Sequence, residues 1–125
     1  MNEYPFELFE SLAVDRLISR LIFLDGRVNR QELDFFEKLL QSQNISFEDF
    51  ERSLSEPLEY SYEVIKSMST KKRQQCVRLL RQALNSDKVI ELSRLSRLNE
   101  ILEKTEIFRS DKENLKKAKE GFISY

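Results

Sequence analysis

The feature that most constrains this chain is a pattern of apolar residues that occurs twice, 62 positions apart and without a gap. Leu17, Ile18, Leu21, Ile22, Asp25, Val28, Leu33, Phe36, Leu39 and Leu40 align with Leu79, Leu80, Ala83, Leu84, Asp87, Ile90, Leu95, Leu98, Ile101 and Leu102. Nine of these ten pairs are apolar on both sides, and the tenth is Asp with Asp. Within each copy the apolar residues recur at three-and-four spacing, which marks an amphipathic helix on either side of a loop. Two copies are too few for a solenoid, which needs about three to stack. They suit a single domain, residues 1–125, in which two pseudo-symmetric helix-loop-helix units, about 14–40 and 76–102, bury their apolar faces on each other.

The loop of the first copy is the better defined. Gly26 is the only interior glycine of that stretch and, lacking a Cβ, it can take the left-handed conformation that ends a helix. Asn29 is a good N-cap for the helix that follows, and Glu32 stands three residues on, as in a capping box. A cap role alone predicts that Glu32→Ala costs on the order of 0.5–2 kcal/mol. Asp25, Gly26, Val28 and Glu32 also fit the second half of an EF-hand loop. The first half fails, because Leu21 and Phe23 fall where oxygen ligands are required.

The duplicated helix, the Asp-Gly-x-hydrophobic loop and the helix-starting Glu resemble the TerB-like domains, the tellurite-resistance and co-chaperone-associated helical family, over about residues 6–108. The resemblance implies an all-α bundle whose two acidic loops approach one another and form a metal-binding region. It carries that role onto Asp25 and Glu32 from the first loop and Asp87 from the second. It also implies a non-enzymatic binding or adaptor module of a bacterial stress-response or envelope-linked system. The second copy departs from the pattern, with Lys88 in place of the Gly and Arg94 in place of the Glu. Either Glu91 compensates from the same loop, or Lys88 and Arg94 stand in for the metal's charge by pairing with Asp25 and Glu32. The expectation is therefore no cofactor beyond weak binding of Ca²⁺ or Mg²⁺, the hard cations that an all-oxygen site selects.

Composition narrows the chemistry further. With 2 Gly and 2 Pro in 125 residues there is little punctuation for a sheet with many turns, and the expected fold is all-α with about six or seven helices. There are 0 histidines, which removes the commonest general base and zinc ligand. Two glycines cannot write a phosphate-binding or dinucleotide loop, so the reading is not an enzyme. No apolar run approaches the ~18 residues of a membrane-spanning helix, and the start Met-Asn-Glu-Tyr-Pro lacks the basic opening of a signal peptide, which points to the cytoplasm. Cys76 lies on the apolar side of its segment and reads as a small buried hydrophobe.

Charge is distributed unevenly. Residues 1–69 hold 14 acids and 7 bases, whereas residues 70–125 hold 8 acids and 14 bases. Pro5 is placed for a helix start running through Phe6, Phe9, Leu12 and Ala13, as one long helix or two broken near Ser11. Ser46 caps a short helix carrying Phe47, Phe50 and Leu54, and Pro57 opens another with Tyr60 or Tyr62, Val64, Ile65 and Met68 on its face. Ser69 or Thr70 caps a long helix that buries Cys76, Val77, Leu79, Leu80, Ala83 and Leu84, with Lys71, Lys72, Arg73, Arg78 and Arg81 as its basic face. That face is the candidate partner site, suited to an acidic protein surface. Contact with nucleic-acid phosphates is the alternative, disfavoured because no aromatic residue interleaves the cations to stack on bases. A closing helix is expected from Ser110 to Gly121.

Overall fold

The computed structural model describes residues 5–23, 29–86 and 92–106. These form six helices in the order α1 (Leu8–Ile22), α2 (Arg30–Ser42), α3 (Phe47–Ser53), α4 (Leu58–Lys66), α5 (Thr70–Leu84) and α6 (Leu92–Lys104), and among the described residues there is no strand. The protein is an all-α bundle. The expected closing helix from Ser110 lies outside the described residues, as do Asp25, Asp87, Lys88 and Glu91.

Helices α2, α3 and α5 begin where a side chain satisfies an orphan backbone N–H. Asn29 Oδ1 accepts from Glu32 N at 2.8 Å, Ser46 Oγ from Asp49 N at 3.1 Å, and Ser69 Oγ from Lys72 N at 3.3 Å. Helix α1 runs unbroken through Ser11, and the Glu7 N–H that precedes it donates to Glu10 Oε1 at 2.8 Å. Pro57, with its fixed φ and no N–H to leave unpaired, precedes α4. Helix α2 ends in a Schellman turn, in which Asn44 takes a φ of 59°, Asn44 N donates to Gln41 O at 3.0 Å, and Ile45 N donates to Leu40 O at 2.9 Å. Ile45 is buried with Leu40, the apolar pair this motif brings together.

Helix α1 is the axis of the bundle and packs against each of the other five. Accordingly it is buried nearly all round: Ala13, Val14, Leu17, Ile18, Leu21 and Ile22 are in the core, and so are Ser11 and Asp15. The α5 stripe Cys76, Val77, Leu79, Leu80, Ala83 and Leu84 closes over it, with Ile65 of α4 and Ile101 of α6. Phe36 of α2 meets Phe23 and Phe50 edge to face, with ring centroids 5.6 Å and 5.0 Å away, which ties the end of α1 to α3. Tyr62 of α4 is buried while Tyr60 is exposed, and Lys104 at the end of α6 lies 5.5 Å from the Tyr62 ring centroid.

Several features recur at the 62-residue spacing. The bounds of α5 and α6 are those of α1 and α2 moved by 62, and the two non-glycine residues with positive φ, Asn44 and Glu106, have the same separation. Of the repeated apolar pairs within the described residues, those at 17, 18, 21, 22, 36, 39 and 40 are buried in both copies. Leu33 is half-buried and Leu95 exposed, so the outermost position of each stripe is not core.

Candidate functional site

Helices α2 and α6 bring Glu32 and Arg94 together inside the molecule. Arg94 Nη2 donates to Glu32 Oε1 at 2.9 Å, and the residues are 4% and 1% exposed respectively. Glu32 Oε1 also accepts from Asn29 Nδ2 at 2.6 Å. The cap residue, the acid of the first copy and the base of the second thus form one buried network. The second copy's substitution of Arg for Glu is what makes it: a carboxylate there would face Glu32 across a low-dielectric gap, whereas the guanidinium supplies the opposite charge.

A similar arrangement recurs at the start of α1 and α5. Lys72 Nζ donates to Glu10 Oε1 at 2.7 Å, again between residues 62 apart, with Glu10 buried and Lys72 partly exposed. Lys72 stands in the first turn of α5, where the helix dipole disfavours a cation, so the Glu10 carboxylate offsets a local penalty as well as pairing a charge. Of the five cations proposed as a partner face, Lys72 is therefore engaged within the fold and Arg73 is half-buried. Lys71, Arg78 and Arg81 are exposed, lie on one side of α5 at positions 0, 7 and 10 of a helical repeat, and make no ion pair among the described residues.

Of the metal-site candidates, only Glu32 lies within the described residues. Its carboxylate is held by Arg94 and Asn29. Among the described residues no group of three or more His, Cys, Asp or Glu converges as a metal site would require.

Two features, Asp15 and a groove, have no counterpart in the sequence reading. Asp15 is fully buried on α1, one turn from buried Ser11, and among the described residues neither carboxylate oxygen has a hydrogen-bond partner in good geometry. Burial pushes its carboxyl from 3.8 up to about 8, and the nearby amide of Gln43 only partly opposes this. Beside it on α5, burial raises the Cys76 thiol to about 12, helped by the Asp15 charge, so Cys76 is an inert core residue. The signal for Asp15 was an acid in the middle of the apolar run Ala13-Val14-Asp15-Arg16-Leu17-Ile18.

The second unforeseen feature is a groove of about 410 Å³ between α1, α3 and α4. Leu8, Phe9, Leu12 and Ala13 of α1 form one wall, Asp49, Arg52 and Ser53 of α3 the other, and Tyr60 and Ser61 of α4 close the end. Phe9 was expected on the buried side of its helix. It is 51% exposed and Leu8 is 62% exposed, and both line this open groove.

Among the described residues no helix is long and apolar enough to cross a membrane. No family model matches the chain, nor does any curated protein or solved structure.

Proposed function

We propose that the chain is a non-enzymatic binding module of TerB-like type, an adaptor in a bacterial stress-response or envelope-linked system, whose α5 face engages an acidic protein surface. The observation that carries this reading is the row Lys71, Arg78 and Arg81, exposed on one side of a helix whose other side is core and without a carboxylate partner among the described residues. The fold neutralises the cations it needs, Lys72 and Arg94, and leaves these three to solvent. An exposed like-charged row of this kind raises the rate at which an acidic partner is met and selects against basic ones.

The pseudo-symmetric reading of the two copies belongs to the same proposal. Residues that contact their own equivalents, as Glu10 does Lys72 and Glu32 does Arg94, sit where a two-fold axis relating the halves would pass. On this reading the buried Glu32–Arg94 pair takes the place of a divalent ion between the acidic loops. Calorimetric titration of chelator-treated protein with Ca²⁺ and Mg²⁺ is expected to give binding no tighter than millimolar, and micromolar binding abolished by Asp25→Asn would replace the adaptor reading with a metal sensor.

The test of the adaptor is affinity capture from a bacterial lysate with the full chain and with Lys71→Glu/Arg78→Glu/Arg81→Glu. A partner lost on charge reversal, and weakened by raised salt, supports the proposal. Capture that is indifferent to the reversal removes it, and a shift of duplex or single-stranded nucleic acid at near-physiological salt transfers the face to phosphate binding.

A further inference from the structure

We propose that the α5 face is a helix-docking surface, and that its occupant is one acidic α-helix of a partner protein, laid along α5 with a row of carboxylates turned toward it. The inference rests on the reading of α5 as the partner face and gives that partner a shape. Its ground is a comparison of α1 with α5, whose bounds differ by 62. On α1, Phe9, Leu12 and Arg16 stand on the side that faces α3 and α4, and Arg16 donates to the main-chain carbonyl of Glu56 just past the end of α3. Moved by 62, these positions are Lys71, Gln74 and Arg78, and Arg81 continues the row on the next turn. All four are exposed. The side of α1 that receives helices thus recurs on α5 as a bare side whose apolar residues are exchanged for hydrogen-bond donors.

Charge decides what can lie there. Residues 64–86 hold six bases and no Asp or Glu, and Lys71, Arg78 and Arg81 make no ion pair among the described residues. The row offers no apolar anchor, so charge-assisted hydrogen bonds to carboxylates must hold the partner. In sequence, residues 108–125 stand to α5 as residues 46–63 stand to α1, but they carry five bases against three acids. A segment of that sign would meet like charge on this face, which leaves it to a separate, acidic chain. Spacing decides the shape. Lys71, Gln74, Arg78 and Arg81 follow at intervals of three, four and three, one donor per turn over about 15 Å. A helix lying nearly along α5 repeats its own side chains every ~5.4 Å, so Glu at three-and-four spacing sets a carboxylate opposite each donor. An extended acidic chain, with side chains on one side every ~6.6 Å, falls out of step.

The experiment uses the full chain and two synthetic Glu/Ala peptides of equal composition and charge, followed by fluorescence anisotropy. One carries Glu at three-and-four spacing and forms a helix; the other has the same residues in alternating D and L forms and cannot. The helical peptide is expected to bind at least about ten-fold more tightly. Arg78→Glu is expected to weaken it by about ten-fold or more with little change in melting temperature, since the side chain is exposed. Lys38→Glu, the same charge change at an exposed position of α2, is expected to weaken it by less than about two-fold. Equal binding of the two peptides overturns the proposal, and so does equal weakening by Arg78→Glu and Lys38→Glu, because the attraction is then general. Tighter binding of a synthetic copy of residues 107–125, or of nucleic acid, than of the helical peptide overturns it as well. A concentration-dependent dimer in sedimentation that Arg78→Glu dissociates does the same, because the occupant is then a second copy. Equal peptide binding removes the helix alone and leaves an acidic partner in place, whereas lysate capture indifferent to charge reversal removes the adaptor reading itself, so the two failures are told apart.

Discussion

Glu32 and Asp15 are both withdrawn from solvent, at 1% and 0% exposure, yet the fold treats them in opposite ways. Glu32 receives a guanidinium and an amide on one oxygen, so its charge is compensated where it lies. Asp15 sits at the middle of the most buried helix with Gln43 as its polar help, and it answers by holding its proton to about pH 8. An acid at a helix start is within reach of another helix start and its basic residues. An acid at a helix centre is surrounded by the apolar stripes of its neighbours. The comparison separates two consequences of burial: a pair that is costly to break, and a lone acid whose cost depends on pH.

The largest effect expected is on the pair. Glu32→Ala takes from buried Arg94 the carboxylate that accepts from it at 2.9 Å, and a loss on the order of 3–5 kcal/mol is expected in urea denaturation, well beyond the cost of a helix cap alone. The double replacement Glu32→Leu/Arg94→Leu is expected to recover most of it, because the desolvation penalty disappears from both sides. A single variant that costs no more than a cap, or a double variant as unstable as the single ones, would mean that the network is not electrostatically coupled.

Asp15 gives the next effect, with pH as the lever. An unfolded chain releases this proton near 3.8, the folded one near 8. The contribution of Asp15 to stability is therefore fully present below about pH 4, falls as the pH rises, and is lost above about pH 8. Asp15→Asn keeps the shape and removes the titration. It is expected to be more stable than the wild type by on the order of 2–4 kcal/mol at pH 8, with the difference closing toward pH 4. Denaturation curves at several pH values test this, and a gap independent of pH would sink it.

These two residues also mark how far the sequence could be read. Helix content, the caps at Asn29, Ser46 and Ser69, and the buried stripe of α5 depend on local spacing, and local spacing is legible. The Arg at position 94 was legible as a departure from an acidic pattern, and charge logic was enough to point to Glu32. Asp15 was not, because the period that places an acid on a helix does not say whether the facing surface is water or another helix. The groove escaped for a related reason. Phe9 and Leu12 have core-like spacing, and spacing does not say which apolar side chains a neighbouring helix covers.

Between the two extremes lies Glu10 with Lys72. Glu10 is buried but the ammonium is partly exposed, so water and salt screen the pair in part. Lys72→Met keeps the aliphatic stem and is expected to cost about 1 kcal/mol, less in high salt. A cost equal to that of breaking the Glu32–Arg94 pair would show that exposure of one partner does not matter here.

The smallest effect is the control that gives the comparison its zero. Arg30 and Asp34 approach to 3.8 Å on α2, one turn apart, with both side chains mostly in water. The orientation is the weaker one, base before acid, and Arg30 stands at the first position of the helix, where the positive end of the dipole repels it. The attraction between the two charges and the repulsion from the helix end are of similar size, a few tenths of a kcal/mol each, so they nearly cancel. Arg30→Ala is therefore expected to change stability by less than about 0.5 kcal/mol, in either direction, at low or high salt. A loss above about 1 kcal/mol in the melting curve would mean that α2 is held at its start by more than the Asn29 cap and the Glu32 network. In that case the contrast between compensated and uncompensated charge would have to be drawn for the whole first turn of α2 rather than for Glu32 alone.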